Sequence, residues 1–220
     1  MLYIVPTPIG NMADITLRAI QVLGEVDLIL AEDTRRTKKL LSTHDIQTRV
    51  RSFHDHNKER VTPGLIADMR DGHNFALVSD AGTPGISDPG FYLVRACRHE
   101  GIEVSGLPGP NAAITALSIS GLPTDAFSFY GFLPKKKGRM EQFLAGLTER
   151  RETIILYESP HRIKKTLTAI NAMLPEWDVC LCRELTKRFE EVMSGKASEL
   201  LQKVREKGEF VIVLHAPQKR

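Results

Sequence analysis

Residues 75–99 read Phe75-Ala76-Leu77-Val78-Ser79, then Asp80-Ala81-Gly82-Thr83-Pro84-Gly85-Ile86-Ser87-Asp88-Pro89-Gly90, then an amphipathic stretch from Phe91 to His99. The first five form a short apolar run of strand type. The middle eleven are mostly Gly, Pro, Asp, Ser and Thr, and the last nine have helical spacing. Strand, turn-rich loop and helix in that order is the unit from which parallel sheets are built. The same alternation extends outward, with strands expected at 2–5, 28–31, 49–53 and 103–107 and helices at 15–23 and 60–70. Further on, strands are expected at 127–132, 153–157, 179–183 and 210–215 and helices at 139–147, 160–174 and 196–206. Ser159-Pro160 starts the middle helix, serine as cap and proline at the first helical position. The expectation is an α/β protein of two α/β domains, 1–117 and 118–220, joined near 118–125.

The bulk properties agree. At 220 residues, 42% apolar and 26% charged, the chain resembles an ordinary globular protein and excludes collagen-like or wholly disordered classes. It has no apolar run of about 18 residues, and residues 2–5 are too short for a signal-peptide core, so a cytoplasmic protein with no membrane partner is expected. Three cysteines, Cys97 far from Cys180 and Cys182, make neither a disulfide framework nor a C-x-x-C pair, which suits a reducing compartment. Cys180 and Cys182 share one face of a strand, where packing explains them. The net charge of +3 divides unevenly: residues 1–110 carry 12 Lys+Arg against 14 Asp+Glu, residues 111–220 carry 18 against 13.

Open α/β sheets bind ligands beyond the carboxyl ends of their strands. Three of the loops expected on that rim, 7–11, 80–90 and 108–113, are rich in Gly and Pro and contain no Lys or Arg. Their formal charges are the carboxylates of Asp80 and Asp88. Neither G-x-x-x-x-G-K-[ST] nor G-x-G-x-x-G occurs, so a nucleoside triphosphate and a pyrophosphate dinucleotide are both disfavoured. A ligand with hydroxyls, a flat base and positive charge suits such loops, and S-adenosylmethionine is one. Asn111 is placed to cap a helix from Ala112 onward, whose free N–H groups suit a carboxylate. Two further rim loops differ in kind. Residues 32–39 bring Glu32, Asp33, Arg35, Arg36, Lys38 and Lys39, and residues 54–60 bring His54 and His56. The cations suit RNA phosphates, and the carboxylates and histidines suit ordering of a reacting group. No third ligand stands near His54-x-His56, and no metal is expected.

The strings at 5–11, 31–35, 79–90, 108–113, 157–162 and 182–187, in this order, closely resemble the small-subunit ribosomal RNA cytidine-2′-O-methyltransferase branch of the tetrapyrrole methylase superfamily, over nearly the whole chain. The resemblance implies a homodimeric two-domain α/β enzyme with S-adenosylmethionine in the cleft between domains, methylating a decoding-region cytidine of 16S rRNA in the small ribosomal subunit. It implies cofactor contacts at Pro8, Ile9, Asp80, Ala81, Gly82, Ile86, Asn111 and Ala112, with Tyr157, Glu158 and Leu185 on the adenine side. Tetrapyrrole-methylating relatives carry G-x-G-x-G-D after the first strand where this chain has Pro6-Thr7-Pro8-Ile9-Gly10-Asn11. Many members of the rRNA branch also continue beyond the point where this sequence stops.

For a direct in-line displacement, Glu32, Asp33 and Glu158 are the candidate proton acceptors, with Arg35 as orienter or phosphate clamp. Lys135, Lys136, Lys137, Arg162, Arg183 and Lys187 are expected to extend the RNA surface formed by Arg36, Lys38, Lys39, His54 and His56. The alternatives are a methyltransferase acting on a tetrapyrrole-like small molecule and a non-catalytic RNA-binding module.

Overall fold

The computed structural model describes residues 1–88 and 90–217; Pro89 of the 80–90 loop lies outside the described residues. The chain divides into two compact units, 1–111 and 112 onward.

In the first unit, β1 (Leu2–Ile4), β2 (Leu28–Ala31), β3 (Val50–Ser52), β4 (Phe75–Val78) and β5 (Val104–Gly106) form one parallel sheet in the order β3-β2-β4-β1-β5. The register pairs Leu2 with both Phe75 and Val104. Connections from β1 and β2 run one way through α1 (Leu17–Glu25) and α2 (Thr34–Thr43). Those from β3 and β4 run the other way through α3 (Lys58–Arg70) and α4 (Gly90–His99). Right-handed crossovers in opposite directions place the helices on opposite faces. Two apolar cores follow: Ala19, Val22, Leu23 and Leu41 against Ile29 and Ala76 on one face, and Leu65, Ile66, Leu93 and Cys97 against Leu30 and Leu77 on the other. The direction reverses between neighbouring β1 and β4, which sets a binding crevice at their carboxyl ends.

The second unit holds a mixed sheet in the order β6-β7-β10-β8-β9, formed by β6 (Phe127–Phe132), β7 (Thr153–Glu158), β8 (Asp178–Arg183), β9 (Glu191–Gly195) and β10 (Phe210–His215). Only the β6–β7 pair is parallel. One face packs under α6 (Lys137–Ala145), α7 (Ile163–Met173) and α8 (Ala197–Lys203), with Ile154, Leu156, Leu181 and Ile212 inward. The other face carries Ile155, Cys180, Cys182 and Val211. There α5 (Ala112–Ile119) packs on β7 and β10.

Three elements differ from the sequence expectation. Residues 34–43 form a helix, because Asp33 caps it: its Oδ1 accepts from Arg35 N at 2.8 Å. Strand β9 was absent from the expected set, since an edge strand reading Glu-Val-Met-Ser-Gly buries little and has no apolar run to announce it. The boundary expected after residue 117 falls inside α5, a helix whose Ala113, Ala116 and Leu117 are buried.

Candidate active site

The loops beyond β1, β4 and β5 are knitted together by their own backbone. Thr7 and Gly82 exchange two hydrogen bonds of 2.9 Å, a miniature antiparallel bridge across the crevice. The buried Thr7 hydroxyl donates to Ser79 O at 3.1 Å, and Ser79 Oγ donates to Gly82 O at 3.1 Å. Thr83 Oγ1 donates to Pro110 O at 3.0 Å, which joins the third loop. Gly82 and Gly85 have φ of +82° and +86°, the left-handed conformation that glycine adopts without penalty. Gly109 lies so close to Pro6 that an added Cβ would meet the proline Cβ at 2.7 Å. Pro8, Ile9, Asp80, Ala81, Gly82 and Asn111 therefore belong to one rigid rim, with Ile9 buried against Gly82 and Ile86 exposed on the far arm of its loop. The sequence offered no sign of the Thr7–Ser79 hydroxyl network, because such partners are 72 residues apart.

The two rim carboxylates do different things. Both oxygens of Asp88 accept from Gly85 N at 2.8 Å, and Oδ1 also accepts from Gly90 N at 2.7 Å, so this side chain holds the loop closed on itself. Asp80 Oδ1 accepts from Asp33 N at 3.0 Å, tying the end of β2 to the crevice. Its Oδ2 lies 3.4 Å from Arg36 Nη1. The rim is thus not free of cations: its own loops supply none, but Arg36 reaches in from α2.

The candidate proton acceptors separate clearly. Asp33 caps α2 and is gripped by Arg35, whose Nε and Nη2 donate to its two oxygens at 3.1 and 2.8 Å. These bonds and the backbone N–H of Arg35 lower its pKa to about 2, which makes it a weak base. Glu158 is buried in the second unit, with Oε1 taken by Ser159 N at 2.8 Å and Oε2 by the Thr166 hydroxyl at 2.6 Å, beside Arg162. It serves as an anchor for α7, contrary to the expectation that it takes a proton. Glu32 is exposed at the rim, yet partial desolvation by its neighbours, together with the carboxylates of Asp80, Asp88 and Asp55, raises its pKa, so it is the group whose environment suits a base.

Several expected RNA contacts are employed internally. Arg183 is buried, donating to Glu191 Oε2 at 2.8 Å, and Lys187 Nζ sits between Glu184 and Glu209 at 2.9 and 2.8 Å. Arg162 Nη2 donates to the Leu133 and Pro134 carbonyls at 2.9 and 3.3 Å, pinning the entry to α6. In all three the charge already has partners within the second unit, at variance with the expectation that they extend an RNA surface. Lys38, Lys39, Lys135, Lys136 and Lys137 are exposed. His56 is exposed, whereas His54 Nδ1 is buried without a partner; their rings meet edge to face at 5.9 Å. In the second unit Tyr157 is half-buried, its ring edge-on to Phe129 at 4.8 Å and its phenol hydrogen-bonded to the backbone of Ala113; burial raises its pKa. Leu185 is buried between Glu184 and Thr186, both with φ near +60° (53° and 65°).

Residues 1–201 match the family described as Tetrapyrrole (Corrin/Porphyrin) Methylases. A protein of Halalkalibacterium halodurans called Ribosomal RNA small subunit methyltransferase I is 51% identical over 216 residues, 97% of this chain and 75% of its own length. Its namesake from Escherichia coli O157:H7 is 53% identical over 220 residues, 97% of this chain and 77% of its own. The chain belongs to the ribosomal RNA small subunit methyltransferase I family, within the tetrapyrrole methylases. Membership makes it a methyltransferase. The fold agrees: the methyltransferase CobJ superposes with a TM-score of 0.72 at 16% identity, covering 100% of this chain and 95% of CobJ. A cobalt precorrin-4 methyltransferase gives 0.69 at 18% identity, covering 96% and 93%.

Proposed function

We propose that the chain transfers a methyl group from S-adenosylmethionine to the ribose 2′-oxygen of a cytidine in the decoding region of 16S rRNA, acting in the cytoplasm as a homodimer on the small ribosomal subunit. The family relationship at about half identity supports an rRNA substrate. The observation that carries the donor is the charge of the rim: its own loops hold the carboxylates of Asp80 and Asp88 and no Lys or Arg, and these carboxylates, with Asp55, add to the desolvation that raises the pKa of Glu32, so the local field is negative. Such a field favours a cationic sulfonium and opposes a phosphate-bearing cofactor.

The rim loops also fit the remainder of the donor. Backbone groups of Pro8, Ile9 and Ala81, with the Asp80 carboxylate and the Asn111 side chain, suit its ribose hydroxyls, base and amino-acid end, while Gly82, its backbone engaged by Thr7 and Ser79, lets the loop approach closely. When bound, the donor supplies a methyl already activated by the positive charge on sulfur. The protein's own task is positioning. The Thr7–Gly82 bridge and the Gly109–Pro6 contact fix the rim loops, and fixed geometry is worth a large part of the barrier to a two-reactant step. Glu32 accepts the proton of the ribose hydroxyl, since a raised pKa brings a carboxylate closer to working pH. Arg35, held by Asp33, together with Lys38 and Lys39 faces the phosphates.

The test is incubation with methyl-labelled donor and 30S particles, followed by mapping of the modified nucleotide. Label on a cytidine 2′-oxygen supports the proposal. Label on a base, or none, refutes it. Glu32→Gln should slow transfer by about 100-fold or more, the usual contribution of a general base.

A further inference from the structure

The first turn of α4 leaves the rim directly after the 80–88 loop and presents two large aromatic side chains to solvent: Phe91 is 63% exposed and Tyr92 36%. Leu93 and Cys97, on the opposite side of the same helix, are fully buried, so α4 is firmly seated while its aromatic face is uncovered. Lys58, the first residue of α3, holds its ammonium 5.7 Å from the centroid of the Tyr92 ring and is itself fixed by Asp55 at 2.7 Å. Arg95 is exposed three residues after Tyr92 and four after Phe91, on the same helical face.

We infer that Phe91 and Tyr92, flanked by Lys58 and Arg95, form a stacking platform for an unpaired base of the RNA substrate beside the reacting nucleotide. The inference rests on the methyl-transfer reading for the identity of the partner. Exposed aromatics interleaved with cations match single-stranded nucleic acid, where rings stack on bases and the cations face the backbone. A protein partner fits less well, because interface cores are depleted in lysine and Lys58 stands directly against the ring.

The test uses the full chain and two probes of equal length, oligocytidylate and an abasic ribose-phosphate oligomer, with affinity read by fluorescence anisotropy. Phe91→Ala and Tyr92→Ala should each weaken oligocytidylate binding by about 5- to 100-fold, leave binding of the abasic probe unchanged and keep the native melting temperature. Phe91→Trp should restore affinity. Arg95→Ala should instead reduce the salt slope for both probes by about 0.7. Undiminished affinity of both alanine variants for oligocytidylate, or equal losses on the two probes, would overturn the platform alone. Sedimentation showing that Phe91→Ala splits a dimer would assign the face to a second copy of the chain and also overturn it. If the wild-type protein binds neither RNA, the platform falls together with the RNA reading, whereas calorimetric binding of S-adenosylmethionine would still stand apart from both.

Discussion

Substituting Gly109 by alanine tests whether the rim is one rigid body. The new Cβ would sit 2.7 Å from Pro6 Cβ and 3.0 Å from Pro6 Cγ. Carbon atoms rest about 3.5–4.0 Å apart, so one loop must retreat by about 1 Å. A flexible side chain could swing away, but the proline ring is closed onto its own backbone and moves only with the loop. Overpacking of this size costs about 1–3 kcal/mol. Gly109 is not in the left-handed region, so backbone strain adds nothing to that figure. Gly64→Ala provides the control: Gly64 lies inside α3, an added Cβ there would meet no heavy atom within 4 Å, and alanine should stabilise by up to about 1 kcal/mol. Thermal unfolding should therefore move in opposite directions for the two variants. Methyl transfer should fall by about 100-fold in Gly109→Ala, because a 1 Å displacement of positioning groups has that effect, and stay at the wild-type rate in Gly64→Ala. A Gly109→Ala protein as stable and as active as wild type would show that the β1 and β5 loops do not touch, and the account of a prefixed rim would be wrong.

Three further outcomes follow from the charges. Asp33 should titrate near 2 by carboxyl NMR. Because its folded pKa is lowered from 3.8, its contribution to stability is complete above that ordinary value and is lost as pH falls through about 2; Arg35→Ala should return the titration toward 3.8. Glu32 has the opposite sign: its raised pKa favours the folded state when protonated, so its effect on stability declines as pH rises through the folded value. The acid limb of the methyl-transfer profile should lie above 4.5, move to lower pH in Asp80→Asn and vanish in Glu32→Gln. Arg183→Ala should destabilise by about 1.5–3 kcal/mol through loss of the bond to Glu191, with the salt slope of RNA binding unchanged; a reduced slope would return Arg183 to the RNA surface.

The parts legible in the sequence were those set by local chemistry. Short apolar runs placed every strand of the first sheet, those of β1, β4 and β5 followed by Gly and Pro and those of β2 and β3 by charged and polar residues, since strand propensity and turn residues act over a few positions. Helix α2 was hidden because Thr-Arg-Arg-Thr-Lys-Lys has no apolar start, and only the Asp33 cap and the later Leu40 and Leu41 commit it to a helix. The employment of charged side chains was less legible still. Arg183 and Lys39 have similar standing in a sequence, yet one is buried on Glu191 and the other is exposed. What separates them is partners brought up by the fold: Arg183 meets Glu191 across the β8–β9 pair, and Lys187 meets a carboxylate 22 residues away.

The same distinction bears on the proposal that one rim of the sheet serves two ligands of opposite charge. Around Glu32 the carboxylates of Asp80, Asp88 and Asp55 make the local charge negative, adding to the desolvation that raises the pKa of Glu32, and a cationic donor is favoured there. Helix α2 starts at this point, and Asp33 and Asp80 engage its first two arginines, Arg35 and Arg36. One turn later Lys38 and Lys39 stand exposed, about 5 Å further along the axis. Within a single helical turn the charges thus pass from carboxylates and paired arginines to exposed lysines. A nucleotide needs that arrangement if its 2′-oxygen is to meet a sulfonium while its phosphates lie on cations. Moving the anionic pair is then the sharpest perturbation: Asp80→Lys would make the whole stretch positive, and should weaken S-adenosylmethionine binding while strengthening that of single-stranded RNA. If both affinities fell together, the loss would be one of folding, and if neither changed, the electrostatic division of this face would be refuted.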